Sequence, residues 1–415
     1  MLITTVLNHI EKHKSFVYGK PRWGKGRKQI EVPIAPRKNG QAICSGCQLP
    51  APVYDRLGRR RFDYVPLWNI AVVFLYTMRR VNCQRCGVKV EKVPWGRGKS
   101  PLTRSYSIFL ATWARRLSWS EVAGIFGTTW NRVFDAVKEM VKYGLEHRDI
   151  SGVTAIGVDE VQHGKGHSYL TMVYQLNGKT RRLLYVGQGR TAKTLLRFFH
   201  DCGKPWCLQL QFVCSDMWKP YLKVIAKKAS QALHILDRYH IVAKLNTALS
   251  EIRASEARKL RREGYEEVLK HTKYCFLKNP RNLTVKQKLK LKDVLKYDLK
   301  SVRAYLLKES FQVFWQYSSP YWASWYLRKW CARAMRSKLD PIKKFVGTVR
   351  NHEELMLNWF KARKQFSSGA VEGLNRKVNL VTRKSYGFRS FEVLKVALYH
   401  TLGHLPEPEV AHRFC

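Results

Sequence analysis

The chain has 415 residues, room for roughly two to four folding units with sizeable cores. Its 76 Lys and Arg against 30 Asp and Glu give a formal net charge of +46, a self-repelling excess that a polyanion such as DNA or RNA relieves. A hydrophobic content of 45% with 12% aromatics excludes a disordered basic tail and argues against a merely adhesive basic protein. No apolar run approaches the roughly 20 residues of a membrane span, so no membrane partner is expected. Met1 to Val6, followed by Glu11 to Lys14, lacks a signal-peptide pattern, and the expected location is cytoplasmic and nucleoid-associated.

Residues 1–98 are expected to form a basic arm and a zinc-binding module. Between Lys12 and Lys38 there are nine Lys or Arg and one acid, Glu31, broken by glycines and prolines. The expectation is an extended arm or edge strands, either touching nucleic acid or simply solvated. Cys44 and Cys47, then Cys83 and Cys86, form two Cys-x-x-Cys pairs separated by 35 residues. Each pair can turn two thiolates toward one tetrahedral Zn²⁺, giving a zinc-ribbon-like module with hairpin strands between the knuckles. Ile70–Tyr76 reads as one such strand, buried. Cys202, Cys207, Cys214, Cys275, Cys331 and Cys415 show no rhythm and are read as thiols, not disulfides.

Residues 99–150 turn helical after a Gly/Pro-rich linker. Ser105–Leu117 predicts one helix, Ser118 to Glu121 a capping box, and Gly127 a tight turn into a further helix starting near Trp130. This reads as a helix-turn-helix whose Thr128, Thr129, Asn131 and Arg132 can reach base edges, against the alternative of an ordinary helical hairpin.

Residues 151–241 change to strands. Val153–Val161, His167–Leu176 and Arg181–Val186 read as three antiparallel strands, with Asn177-Gly178 as a hairpin signal. Helix Thr191–His200, strand Leu210–Ser215, helix Tyr221–Lys228 and strand Leu233–Leu236 follow. That order is expected of an α/β, ribonuclease-H-like core. Residues 242–366 read as a large all-α insertion with 17 Lys or Arg against six acids between Arg253 and Lys308. Its aromatic cluster, Phe311 to Trp330, is expected to be mostly core. Residues 367–415 return to the core.

Three acids carry the chemistry. Asp159 and Asp216 end apolar strand-like runs. Glu372 sits on a helix whose stripe Val371, Leu374, Val378 and Val381 faces inward, leaving Glu372, Arg376, Asn379 and Arg383 outward. Ser367 or Ser368 is expected to cap that helix. Two strand-end acids and a third on a helix can hold two Mg²⁺ or Mn²⁺ for an in-line phosphoryl displacement. Each acid alone has a bland reading, a turn cap or a solvated helix glutamate. Glu160 alternates to the other strand face. Asp237 and His240 form an auxiliary polar cluster in which His240 either positions a water or phosphate or caps the core. His163, Lys165 and His167 either touch DNA or form a solvated turn. No Ser-His-Asp set, phosphate-binding loop or dinucleotide fingerprint is present.

These residues resemble the DDE transposases of bacterial insertion sequences, specifically the ISL-three group, over nearly the whole chain. The cysteine pairs are similar to that family's zinc finger, and Ser118–Met140 to its helix-turn-helix. Ile156 to Glu160, Cys214 to Tyr221, Asp237 to His240, and Ser368 to Lys377 with Tyr386 to Phe391 are similar to its catalytic segments. The resemblance implies catalytic and metal-binding roles for Asp159, Asp216 and Glu372; from the helix face beside Glu372, Arg376, Lys377 and Arg383 are expected to contact DNA phosphates. It implies a transposase that binds the terminal inverted repeats of its own element, then cuts and joins DNA strands with two Mg²⁺ or Mn²⁺. One structural Zn²⁺ and a homodimer or higher assembly on terminal and target DNA are implied too. The rival readings are a DNA-binding regulator or architectural protein with an idle core, and a plain nuclease.

Overall fold

The computed structural model describes residues 2–164, 166, 168–365 and 369–409. Ser367, Ser368, Lys165, His167 and Cys415 therefore lie outside the described residues. The chain divides into two compact units, Met1–Asp149 with Val378–Cys415, and Ile150–Lys377.

The first unit opens with α1 (Ile3–Ile10) and a six-stranded sheet. Its strands are β1 (Phe16–Tyr18), β2 (Arg22–Trp23), β3 (Gln29–Pro36), β4 (Val53–Leu67), β5 (Ile70–Cys83) and β6 (Gly87–Val90). β4 and β5 make a long antiparallel hairpin between the two cysteine pairs, and β5 pairs in parallel with β3 on its other edge. Of the two expectations for the basic N-terminal stretch, edge strands hold for β1 and β2, while β3 lies inside the sheet between β1 and β5 and no extended arm forms among the described residues. Ile30, Val32 and Ile34 alternate inward and bury, while most cations between Lys12 and Lys38 fall in the turns. Inside the hairpin, Glu91 is 3% exposed. It accepts from Tyr76 Oη at 2.6 Å, from the Arg79 backbone at 2.9 Å and from Arg79 Nε at 2.9 Å.

Next come α2 (Arg104–Trp113), α3 (Trp119–Ile125) and α4 (Trp130–His147). α2 stops four residues before the predicted Leu117. The capping box at the head of α3 forms, with Ser118 and Glu121 bonded reciprocally. Gly127 takes φ +59°, the left-handed turn between α3 and α4 that a side chain would disfavour. α4 buries Val133, Ala136, Val137 and Met140 on one stripe.

The second unit holds β7 (Ala155–Gln162), β8 (Tyr169–Gln175), β9 (Leu183–Gln188), α5 (Ala192–Cys202), α6 (Lys204–Leu208), β10 (Phe212–Ser215), α7 (Lys219–Lys228) and β11 (Leu233–Leu236). The sheet order is β11-β10-β7-β8-β9, with β7 to β9 antiparallel and β10 and β11 parallel to β7. The Asn177-Gly178 signal does not make a two-residue turn. Gly178 has φ +84°, but the Asn177 carboxamide accepts from the backbone of Thr154 and Ala155, tying a longer loop to the head of β7. On one sheet face Ile156 and Val158 pack with Leu195, Phe198, Tyr221 and Ile225.

After β11 the chain is helical: α8 (Arg238–Arg262), α9 (Glu266–Leu269), α10 (Lys273–Leu277), α11 (Val285–Val294), α12 (Lys300–Val313), α13 (Pro320–Met335), α14 (Asp340–Asn351) and α15 (Glu353–Lys361). Phe311, Phe314, Trp315, Trp330, Phe345 and Phe360 form its aromatic core. α16 (Gly369–Lys384) and α17 (Phe391–Leu402) follow.

Because Glu91 is the one carboxylate paired with buried Arg79 among the described residues, Glu91→Ala is expected to cost about 3–5 kcal/mol. Urea denaturation should show the loss, and replacing Arg79 and Glu91 together by apolar residues should recover most of it.

Candidate active site

β7, β10 and β11 run in parallel register, with Val158 opposite Ser215 and Ser215 opposite Leu236. The next residue on each strand is an aspartate: Asp159, Asp216 and Asp237. Asp159 Oδ1 accepts from the Glu160 backbone at 2.8 Å, and its Oδ2 from Asn375 Nδ2 at 2.6 Å. Burial pushes the Asp159 carboxyl up to about 6, and the nearby Asp216 charge adds to that rise. Asp216 is raised by burial too, against its hydrogen bond from the Trp218 backbone at 3.0 Å and the charges of His240 and Lys244. Asp237 caps α8 through the Tyr239 backbone at 2.7 Å, with its Oδ2 3.6 Å from His240 Nε2. His240 is close enough to act electrostatically on both half-buried acids.

Glu372 is carried by α16. Val371 and Leu374 bury, whereas Glu372 and Arg376 face outward and pair at 2.7 Å. Glu372 also lines a cavity of about 750 Å³ with Asp237, Arg238, Gln312, Trp315 and Trp359. The side chains do not bring all three acids to metal-ligand spacing. Among the described residues, only Cys44, Cys47, Cys83 and Cys86 form a set whose ligand atoms all lie within 4.8 Å of one another. Asp159 and Asp216 nevertheless suit a cation: they are adjacent and mutually repelling, and neither has an ion-pair partner within 4.0 Å among the described residues. Glu160 turns to the other face, where Arg190 binds it at 3.0 Å.

Two parts of this site escape sequence reasoning. Arg190 is sandwiched between Tyr169 and Trp218, at 4.0 and 4.9 Å from the ring centroids, and braces the loop that carries Asp216. Asn375 joins α16 to Asp159. Its one legible signal is a position three residues after Glu372, which puts the two side chains side by side on a helix.

The four thiols fit a tetrahedral metal. A Zn–S bond of about 2.3 Å spaces sulfurs by about 3.8 Å. Cys47 and Cys83 Sγ are 3.4 Å apart, and the Gly46 N–H donates to Cys44 Sγ at 3.4 Å. The backbone N–H of Arg85 pulls the Cys83 thiol down to about 7, while burial and the neighbouring Cys47 and Cys44 push the Cys86 thiol up to about 11, a crowding of sulfurs that a bound cation would relieve.

A transposase family model of the DDE type, ISL3, matches residues 156–398. The chain belongs to the ISL3 transposase family. It is 28% identical over 400 residues to the transposase for insertion sequence element IS1557 of Mycobacterium tuberculosis, covering 90% of this chain and 88% of that one. It is 24% identical over 353 residues to the transposase for insertion sequence element IS1001 of Bordetella parapertussis, covering 84% and 86%.

In this transposase the four positions at the turn before α4 differ in availability. Asn131 is exposed. Thr129 caps α4 through the Arg132 backbone, and Arg132 is tied to Asp63 at 2.9 Å. The Thr128 hydroxyl is buried. Arg376, Lys377 and Arg383 are exposed. On α13 the aromatic cluster splits: Trp330 is core, but Tyr321, Trp322 and Trp325 face solvent, and Lys329 Nζ lies 3.8 Å from the Trp325 ring centroid. No described helix is long and apolar enough to cross a membrane.

Asp159 has a stability signature. With its carboxyl near 6 when folded and an ordinary value of 3.8, the native state holds a proton that the unfolded chain has released, so stability falls as pH rises through that window. Asp159→Asn removes that charge penalty, offset in part by the loss of one acceptor for the Glu160 N–H and Asn375 Nδ2 donors. The metal-free variant is expected to have a higher urea midpoint than wild type near pH 7.5, the gap closing toward pH 4.5; equal midpoints at both would refute the buried charge.

Proposed function

We propose that this transposase cleaves DNA at the terminal inverted repeats of its own insertion sequence and joins the freed ends to target DNA. The observation that carries this is a contrast of charge. In a chain with 46 surplus positive charges, Asp159 and Asp216 sit half-buried and adjacent, without an ion-pair partner within 4.0 Å among the described residues. With no cation in contact, and His240 and Lys244 acting only at longer range, the two acids keep room for a divalent cation. A ribonuclease-H-like reading of the core is supported by the β11-β10-β7-β8-β9 order.

In this reading Asp159, Asp216 and Glu372 hold two Mg²⁺ or Mn²⁺. When bound, such a pair activates the attacking oxygen and stabilises the leaving oxygen of a phosphodiester. The chain's own residues do the rest. Asn375 and the Glu160 N–H fix the plane of the Asp159 carboxylate. The Trp218 N–H and the Arg190 stack hold Asp216. Arg376, now on Glu372, is freed for a phosphate once Glu372 turns to the site, and Lys377 and Arg383 add further phosphate contacts. Asp237 and His240 order the adjoining strand end. A freed 3′-hydroxyl takes the place of water in the second displacement, so no covalent link to protein is needed.

End recognition falls to residues 1–98 and 99–150. One Zn²⁺ on Cys44, Cys47, Cys83 and Cys86 staples the base of the β4–β5 hairpin, and Asn131 is the position best exposed to read a base edge. Residues 151–241 and the first half of α16, up to Lys377, form the core, the chain from Val378 on grouping instead with Met1–Asp149, and 242–366 form the helical insertion with its basic and aromatic surface. Holding two element ends at once calls for a homodimer or higher assembly, and both DNA partners fit a cytoplasmic, nucleoid-associated protein.

Incubating labelled element ends and a target plasmid with the protein in Mg²⁺, in Mn²⁺ and in chelator tests this. Asp159→Asn, Asp216→Asn and Glu372→Gln are each expected to lower cleavage at least about 10³-fold while end binding persists. End binding without cleavage by wild type in either metal points to a regulator, and cleavage without joining to a plain nuclease. Purified protein is expected to carry about one zinc per chain, and Cys44→Ser or Cys83→Ser to lose it together with thermal stability; a metal-free wild type of equal stability would rule the zinc out.

A further inference from the structure

We propose that Asn375 is a positioning residue that seats α16 on the catalytic sheet and orients Asp159; its effect on cleavage rests on the transposase reading above. Tyr174 Oη donates to Asn375 Oδ1 at 2.7 Å, and Asn375 Nδ2 donates to Asp159 Oδ2 at 2.6 Å. One short side chain thus accepts from one strand and donates to the next. Strand alternation explains the convergence. Gly157 and Asp159 share a face of β7, and Tyr174 on β8 is the cross-strand partner of Gly157. Tyr174 is fully buried, so its hydroxyl has no water to fall back on.

A second, independent observation concerns Gly157. A Cβ there would lie 2.6 Å from Val371 Cγ2. α16 therefore approaches β7 as closely as a glycine allows. Val371 on Gly157 and, one helical turn later, Asn375 between Tyr174 and Asp159 are two fixed points of the same helix face. Glu372, next to Val371, is carried at a set distance from Asp159 by this seat.

Only an amide suits the position. An ionised aspartate would accept from Tyr174 but repel Asp159, and an aliphatic side chain would leave both the phenol and the carboxylate unsatisfied. With the Glu160 N–H on Oδ1 and Asn375 on Oδ2, the carboxylate plane is fixed before any cation arrives, the usual work of an outer-shell partner.

The test compares wild type with Asn375→Ala, Asn375→Asp and Gly157→Ala by two readouts. The first is amide hydrogen exchange across 369–384 in metal-free protein. The second is the Mg²⁺ concentration giving half-maximal cleavage of element ends. All three variants are expected to exchange faster from Glu372 to Lys377. They should need about tenfold to a hundredfold more Mg²⁺ at half-saturation, while far-UV circular dichroism stays unchanged. Adding Val371→Ala to Gly157→Ala should restore exchange, because the clashing methyl is gone. Should Asn375→Ala fail to fold, Tyr174→Phe, which removes only the hydroxyl, carries the same comparison. Wild-type exchange in the Asn375 variants overturns the seat. Faster exchange with an unshifted Mg²⁺ requirement overturns the orientation of Asp159. A wild type that never cleaves sinks the transposase reading, and the exchange readout still decides the seat.

Discussion

The parallel register of β7, β10 and β11 is the constraint from which the site follows. Parallel strands in step bring their ends to one edge, and here each next residue is an aspartate. That crowding is unfavourable by itself. It is tolerated because each acid is held differently: Asp159 by an amide and a backbone N–H, Asp216 by a turn, Asp237 as the cap of α8. The same alternation that faces Asp159 toward α16 turns Glu160 toward Arg190, so two successive acids acquire opposite fates.

Charge is distributed with the same selectivity. Glu372, Asp63 and Glu31 each take an arginine in solvent-accessible or half-buried pairs, of the kind that contributes little to stability. Glu91 takes its arginine in the interior, where the pair fixes the hairpin rather than a ligand. Asp159 and Asp216 take none within ion-pair distance among the described residues. Solvent-accessible, structural and unpaired acids are therefore separable by their partners alone.

Much of this was legible in the chain. Asp159 and Asp216 end apolar runs, the Val371–Leu374 stripe sets the phase of α16, and Ser118 with Glu121 announces the start of α3. What was hidden depends on tertiary context. The cations of the N-terminal stretch mask the alternating Ile30, Val32 and Ile34, and no local pattern says that β3 will find a parallel neighbour in β5. A dense aromatic run has no phase, so Trp315 and Trp330 in the core cannot be told from Trp322 and Trp325 in solvent. Asn177 advertises a tight turn but is used to hold β7. Asn375 acts on a residue 216 positions away, beyond any sequence window.

That last separation also sets a clock. A ribosome adding about 5–20 residues per second needs roughly 10–40 s to travel from Asp159 to Asn375. Throughout that interval the face of β7 bearing Gly157 and Asp159 has no α16 to cover it, and Asp159 stays hydrated with its ordinary acidity. A nascent chain can thus complete the β4–β5 hairpin and the α3–α4 turn well before its carboxylates are confined. The first unit's hairpin and helical turn are thus synthesised well ahead of the contact that completes the environment of Asp159.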